Sequence, residues 1–220
     1  MNSNRRIKKR AGLLKLRVLT SFKPPSDQAT DMKMTLEAYL RAGLSGFPKD
    51  GIEGVASEWM PVAELSVSHG CLWAGDPCVC DGEDGCMIDI PNGHYIVEAQ
   101  GCDFDGIRII GRARARLSSA SDVSVGEEIG ITGTDSAMIA ICDMGAVDAA
   151  VAGDDAGFQN IIDGFDFQRF GMIQFEMNGQ IRIPYVNSGF GDGSGPMFRL
   201  MAGDDCVGIE LDFICQEPDQ

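Results

Sequence analysis

Histidine is scarce in this chain, because only His69 and His94 occur among its 220 residues. Ser–His–Asp and Cys–His catalytic groups need an imidazole base, so this scarcity argues against a conventional nucleophilic hydrolase. His69 lies two residues before Cys71 in a stretch typical of a β-strand, and the two side chains are expected to share a face. A His–Cys pair is therefore the only nucleophilic arrangement that the sequence offers.

Long hydrophobic runs are also missing. No apolar stretch approaches the roughly 18 residues that a membrane-spanning helix needs. No hydrophobic segment with a small-residue cleavage site follows the N-terminus, so we identify no secretory signal. Without one, the eight cysteines are expected to be reduced thiols, and we expect a cytoplasmic protein.

Positive charge is scarce beyond residue 23. The net charge is -15, and the first 23 residues hold eight of the 18 basic residues: Arg5, Arg6, Lys8, Lys9, Arg10, Lys15, Arg17 and Lys23. The strongly acidic remainder argues against binding of nucleic acid or an anionic membrane, and it fits a basic protein partner. Residues 1–26 are predicted to be a basic flexible tail, and only its segment 5–23 offers a contact for nucleic acid.

The remaining pattern predicts a mainly β (α+β) protein. Residues 27–58 are expected to form a helix and a linker that pack on a β-rich domain at 59–216. The helix is predicted over 30–42, with Thr30 as its cap, and 146–162 is a second, ambiguous helical segment. Strands are predicted at 62–68, 71–74, 95–100, 107–117, 137–142, 171–177, 180–186, 197–201 and 207–214. Many short strands with tight turns favour an antiparallel sandwich or a barrel-like sheet.

One strand is unusually rich in arginine. Alternation over 107–117 places four arginines on one face: Arg108, Arg112, Arg114 and Arg116. This face is either a solvated surface balanced by nearby carboxylates or a surface that binds an anion or a partner. With a five-residue loop at 101–105, we expect Glu98 to lie opposite Arg108.

Cysteines are concentrated between residues 71 and 86. Cys71, Cys78, Cys80 and Cys86 are enough thiolates for a closed zinc site, but their spacing lacks paired C-x2-C knuckles. Unliganded thiols are the alternative interpretation. No cofactor is predicted beyond a possible zinc or other divalent cation.

Aspartates recur at the predicted strand ends. If Asp76, Asp135 and Asp192 converge, their oxygens can hold a hard divalent cation, although aspartate also starts turns. The glycine-rich segment around Gly191 and Gly193 lacks a following Gly-Lys-Ser/Thr, so it is interpreted as a tight turn between strands.

Three segments, read in order, resemble a family of bacterial and phage proteins of unknown function. They run over 68–78 with Asp76-Pro77-Cys78, over 134–143 with Asp135-Ser136, and over 188–193, followed by 208–213. The family motifs that they resemble are Asp-Pro-Cys-Tyr, Val-Asp-Ser-Gly and Ser-Gly-(Phe/Trp)-Gly-Asp-Gly. The resemblance implies a compact β-rich domain and, for some relatives, an accessory or immunity-type role beside toxins.

The chain departs from this family pattern at three positions. Val79 stands in place of a tyrosine, Ala137 in place of a glycine, and Gly195 in place of a later tyrosine. We therefore expect a non-catalytic binding domain, such as an immunity- or inhibitor-type partner of a basic protein. The alternatives are a divalent-metal hydrolase that uses the Asp cluster and the arginine face, and a zinc-stapled structural module.

Overall fold

The N-terminal helix is shorter than its hydrophobic stripe predicts. A computed structural model describes residues 34–49, 51–78, 85–151, 159, 161–163, 168–176 and 180–214, and its first helix, α1, spans Leu36–Arg41. The hydroxyl of Thr35 caps α1 by accepting a hydrogen bond from the Ala38 N–H at 3.2 Å. The predicted cap, Thr30, lies outside the described residues. Leu36, Tyr39 and Leu40 are buried, as the stripe predicted.

From residue 55 onward the structure is almost entirely β, which confirms the predicted fold class. The strands are β1 (Val55–Val67), β2 (Cys71–Gly75), β3 (Cys86–Asp89), β4 (Gly93–Phe104), β5 (Ile107–Leu117), β6 (Ser124–Thr134), β7 (Met138–Asp143), β8 (Phe170–Glu176), β9 (Gln180–Asn187), β10 (Gly193–Ala202) and β11 (Asp205–Asp212). A second helix, α2 (Met144–Val151), follows β7 directly. β1 begins four residues before the predicted start of the β-rich domain.

Two antiparallel sheets form a sandwich, and they do not close into a barrel. Sheet A has six strands in the order β1-β4-β5-β11-β10-β6, and sheet B has five in the order β3-β2-β7-β9-β8. The main core lies between them, where Val97, Ala113 and Leu211 of sheet A join Leu72 and Ile141 of sheet B in one buried cluster. Burial of these apolar side chains is what holds the two layers together.

The central strand of sheet B, β7, is buried on both of its faces. All six residues of β7 are buried. Trp73 and Cys142 point away from the main core and pack with Val147 and Ala150 of α2 in a second cluster. This double burial explains why β7 reads as a continuous apolar run without alternation.

The predicted register of the β4–β5 hairpin is wrong. The turn is the two-residue pair Asp105-Gly106, whose φ angles are 54° and 90°, as a type I′ turn requires. Consequently Glu98 pairs with Arg114, and Arg108 pairs with Asp103. Gln100 pairs with Arg112 and Gly101 pairs with Ile110, so one extra residue of β5 forms a β-bulge between these pairs. The β5 side chains before the bulge therefore point to the face opposite to the one that strict alternation from Arg112 would give them. Arg108 therefore lies on the opposite face from the other three arginines of β5.

Candidate functional site

The carboxylate of Asp76 connects two of the motif segments. Asp76 follows β2, is 5% exposed, and accepts hydrogen bonds from the turn that joins β6 to β7. The donors are the backbone N–H groups of Cys78, Asp135 and Ser136 at 2.8 Å, the Ser136 hydroxyl at 2.7 Å and the Thr134 hydroxyl at 2.9 Å. Five donors around two oxygens occupy this carboxylate fully.

The electrostatics of Asp76 agree with a structural role. Burial alone raises the pKa of its carboxyl, but the hydrogen bonds from Ser136, Cys78 and Thr134 outweigh burial and hold the pKa below its usual range. The group is thus a stable anion that is neutralised by dipoles and hydroxyls of the protein. A metal ion would have to displace these donors to bind here.

The third motif segment meets the same junction from β9 and β10. The carbonyl of Ala137 accepts hydrogen bonds from the Ser188 N–H at 3.0 Å and from the Asn187 side-chain amide at 2.9 Å. Gly193 pairs with Thr134 across β10 and β6. The structure therefore gathers the three motif segments at one end of the sandwich. We call this set of contacts the Asp76 junction.

Two backbone conformations at the Asp76 junction account for residue types in the motifs. Ala137 has a φ of 61°, a left-handed conformation that favours glycine. Gly191 has a φ of 109°, and its carbonyl accepts a hydrogen bond from the Ser188 hydroxyl at 2.6 Å. This supports the interpretation of the glycine-rich segment as a tight turn.

The predicted convergence of Asp76, Asp135 and Asp192 does not produce a metal site. Asp135 and Asp192 flank the paired residues Thr134 and Gly193, so all three aspartates lie at the same end of the sandwich. Asp76 nevertheless points into the protein, whereas Asp135 and Asp192 are exposed. Among the residues that the structure describes, no group of three His, Cys, Asp or Glu side chains could hold a metal ion. The structure thus brings the three aspartates to one end of the sandwich, with Asp76 as a buried, hydrogen-bonded carboxylate and with Asp135 and Asp192 on the surface.

Three arginines of β5 project from the outer face of sheet A, and each has a carboxylate partner. Arg114 and Arg116 both donate to Glu98, with Nε–Oε2 distances of 2.7 and 2.8 Å. Arg112 lies between Asp212 at 3.2 Å and Glu210 at 3.8 Å. These arginines therefore alternate with carboxylates across β4, β5 and β11, as expected of a charge-balanced face.

Burial strengthens the pairing on this outer face. Glu98 is 6% exposed, and its two arginines hold the pKa of its carboxyl below the usual range although burial opposes this. The guanidinium of Arg114 also lies 4.0 Å above the ring of Trp59, which covers it from solvent. An anionic ligand would have to compete with buried carboxylates for these arginines, so the face offers little free positive charge.

Arg108 belongs to a different environment. Its Nε donates to Asp103 at 2.7 Å, its Nη1 donates to the carbonyl of Tyr39 at 3.3 Å, and its guanidinium lies 4.8 Å above the Tyr39 ring. These contacts tie α1 to the β4–β5 hairpin. The residue thus fastens the N-terminal helix and does not extend the arginine face.

A polar cluster that the sequence did not predict lies where β7 meets α2. Asp143, buried at the end of β7, accepts hydrogen bonds from the Ser68 N–H at 2.9 Å and the Ser68 hydroxyl at 2.8 Å. Its Oδ2 also lies 2.9 Å from Nδ1 of His69. The pairing of β2 with β7, which sets Leu72 opposite Asp143, creates this contact between residues 74 positions apart.

His69 is oriented by this cluster, but Ser68 is not placed as a nucleophile that the imidazole can activate. Its hydrogen bond to Asp143 raises the pKa of the imidazole, and its ring lies against Gly145, where a Cβ would approach within 2.1 Å. Ser68 approaches the same nitrogen, Nδ1, that faces Asp143. A serine on that side cannot transfer its proton to Nε2, so the trio has the residues but not the geometry of a catalytic triad.

The predicted cysteine cluster is only partly described. Cys71, Cys78 and Cys86 are free thiols, and burial raises the pKa of all three. Cys80 lies outside the described residues. The structure does not gather Cys71, Cys78 and Cys86 into a metal-binding group. Unliganded thiols remain the interpretation that these contacts favour.

Further findings concern the whole chain. Within the described residues, no helix is both long and apolar enough to cross a membrane. Comparisons with protein families, with curated proteins and with solved structures found no match to this chain.

Proposed function

We propose that this protein is a non-catalytic binding domain, working in the cytoplasm as an immunity- or inhibitor-type partner of a basic protein. The observation that carries the proposal is the free edge of sheet A at β6. There, exposed carboxylates and exposed apolar side chains lie together on an outermost strand. A basic partner would meet both kinds of group at once.

The β6 edge has the chemistry of a docking strand. β6 is the last strand of sheet A, so within the described part of the chain one row of its backbone groups pairs with no other strand. Val125 and Ile131 on this strand are 51% and 68% exposed. Exposed β-branched side chains on an open strand lose water favourably when another chain covers them.

Unpaired carboxylates surround this strand. Glu128 is exposed on β6, and the β10–β11 hairpin brings Asp204 and Asp205 to the end where β6 begins, next to Asp122. In the described part of the chain, none of these four carboxylates has a cation within 4.0 Å, whereas Glu127 pairs with Arg199 at 2.8 Å. Unpaired surface charge of one sign speeds the association of an oppositely charged partner.

The candidate catalytic groups are already hydrogen-bonded or ion-paired within the protein, and this supports a non-catalytic role. The groups that a hydrolase would use are occupied within the protein: Asp76 by five donors and the outer-face arginines by carboxylates. His69 is oriented by Asp143 through Nδ1, the same nitrogen that Ser68 approaches, so Ser68 is not placed to be activated by Nε2. The resemblance to a family of unknown function, some of whose members look like accessory or immunity-type proteins, agrees with this proposal.

The test has two steps. The protein is first immobilised at low salt, and basic proteins of its native host are captured and identified. The association rate of a purified captured protein is then compared for wild type, Glu128→Lys and Glu58→Lys. Glu58 is the matched control, because it is exposed on β1, the opposite edge of the same sheet.

We expect Glu128→Lys to slow association about tenfold at low salt, with a smaller effect at high salt. Ile131→Asp should speed dissociation, because it places a charge where apolar contact is expected. Capture of no basic protein, or equal losses from Glu58→Lys and Glu128→Lys, would contradict the proposal.

A further inference from the structure

A cleft of about 290 Å³ opens beside the turn between β9 and β10. The linker after α1 and β5 contribute to its walls, together with the glycine-rich turn and Arg169, which immediately precedes β8. Its chemistry is divided, with apolar side chains on the walls and a guanidinium among the lining groups. None of the roles described above uses this cleft.

The apolar part of the cleft has a floor of packed side chains and one exposed aromatic ring. Phe190 packs on the cluster of Cys102, Phe104 and Ile109, with its ring centroid 5.9 Å from that of Phe104. Phe47, which also lines the cleft, is 75% exposed. A planar apolar group in this space would cover the Phe47 ring, which otherwise faces water.

The polar part of the cleft is Arg169, which has no carboxylate partner among the residues that the structure describes. Arg169 donates one hydrogen bond from Nη1 to the carbonyl of Arg108 at 3.0 Å, and its own carbonyl accepts from the Asn187 N–H at 2.6 Å. Those two contacts fix its position between β5 and β9. Among the residues described, no carboxylate lies within 4.0 Å of its guanidinium, in contrast to the arginines of β5.

We propose that this cleft binds a small carboxylate that carries an apolar group of about the size of an aromatic ring. The guanidinium of Arg169 offers donors in the fork geometry that suits a carboxylate. Phe47 and Phe190 supply the apolar contacts beside the polar groups of Arg169, Asn187 and the turn backbone, and small-molecule sites combine apolar contacts with a few placed polar groups. The negative charge of the whole protein is screened over about 8 Å at physiological ionic strength, so the local cation determines the preference.

The turn residues keep this cleft open. Gly189 has a φ of 72°, and a Cβ there would lie 3.0 Å from the carbonyl oxygen of Ile110. Gly191, with its φ of 109°, has open space where a side chain would stand. Glycine at both positions therefore leaves the backbone of the turn uncovered beside Arg169.

The experiment is isothermal titration of the full-length protein with 3-phenylpropionate, 3-phenylpropanamide and acetate. The amide keeps the ring but removes the charge, and acetate keeps the charge but removes the ring. We expect the acid to bind at least tenfold more tightly than either probe, because charge and apolar contact act together. N-acetylphenylalanine is titrated in the same way. If it binds more tightly than 3-phenylpropionate, a peptide C-terminus is identified as the source of the carboxylate.

Variants locate the binding in the cleft. Arg169→Gln should weaken 3-phenylpropionate about tenfold, and Phe47→Ala should weaken it severalfold. Arg182→Gln is the control, since Arg182 is exposed in β9 and does not line the cleft. Equal affinity of Arg169→Gln and wild type, both with unchanged melting temperatures, would overturn the proposal. Equal affinity for the acid and the amide would overturn it as well.

Discussion

Replacement of Asp76 by asparagine tests the structural interpretation of the Asp76 junction. The amide side chain would keep one acceptor oxygen and present an NH2 group where the second carboxylate oxygen accepts hydrogen bonds. Hydrogen bonds to a charged group contribute about 1.5–3 kcal/mol each, and an unsatisfied buried donor costs about 1–3 kcal/mol. Because these contributions are not additive, we expect a total loss of about 3 kcal/mol in the free energy of unfolding.

Urea unfolding followed by the fluorescence of Trp59 and Trp73 measures this loss. With a slope of about 2 kcal/mol per molar urea, the midpoint should fall by about 1.5 M. Asp135→Asn is the matched control, because that carboxylate lies one residue away from Thr134 but is exposed, and its loss should change stability by less than about 0.5 kcal/mol. A loss below about 1 kcal/mol for Asp76→Asn would refute the reasoning.

The pH dependence of the same variant provides an independent check. The folded-state pKa of Asp76 lies below its unfolded value of about 3.9. The stabilisation is therefore present above that unfolded value and is lost as the pH falls through the folded value. The stability difference between wild type and Asp76→Asn should consequently be constant near neutral pH and shrink in acid. If the difference instead grew as the pH fell, this assignment would be wrong.

Three further predictions follow from local geometry. Ala137→Gly should raise the free energy of unfolding by about 1 kcal/mol, because glycine relieves the left-handed backbone, and chemical unfolding at fixed pH measures the change. Glu98→Gln should lower it by about 2–3 kcal/mol by leaving two arginines without their shared carboxylate, whereas exposed Glu64→Gln on β1 should have almost no effect. NMR titration should show the pKa of His69 above its usual value in the wild type and lower after Asp143→Asn; an unchanged value in the variant would rule out Asp143 as the cause.

The sequence predicts the position of a strand where apolar and polar residues alternate or where turn residues mark the ends of the strand. β5 occupies the predicted range 107–117, because its small core-facing residues alternate with arginines and Asp105-Gly106 precedes it. β6 was missed, because Gly126, Gly130 and Gly133 interrupt an edge strand whose residues are largely exposed on both sides. Without alternation or β-rich composition, such a strand resembles a loop in the sequence.

The sequence does not predict the contacts between segments that lie far apart along the chain. The sequence singled out Asp76 as a candidate but gave it the role of a metal ligand, since nothing in the sequence shows which donors the turn after β6 presents. The sequence indicates His69 as a candidate base, but only the pairing of β2 with β7 brings Asp143 against it. The predicted register of the β4–β5 hairpin was wrong for a related reason, because the position of a β-bulge depends on how both strands pack.

The position of the motifs determines where function is to be sought. Asp76, the turn before β7 and the turn before β10 come from three separated segments, and their hydrogen bonds meet at one end of the sandwich. These hydrogen bonds satisfy Asp76 and the carbonyl of Ala137 within the protein, so the Asp76 junction has a structural role. Specific function in this chain should therefore depend on groups that the junction leaves exposed. These groups are the exposed side chains of the β6 edge and the guanidinium of Arg169, which lies beside the glycine-rich turn of the third segment.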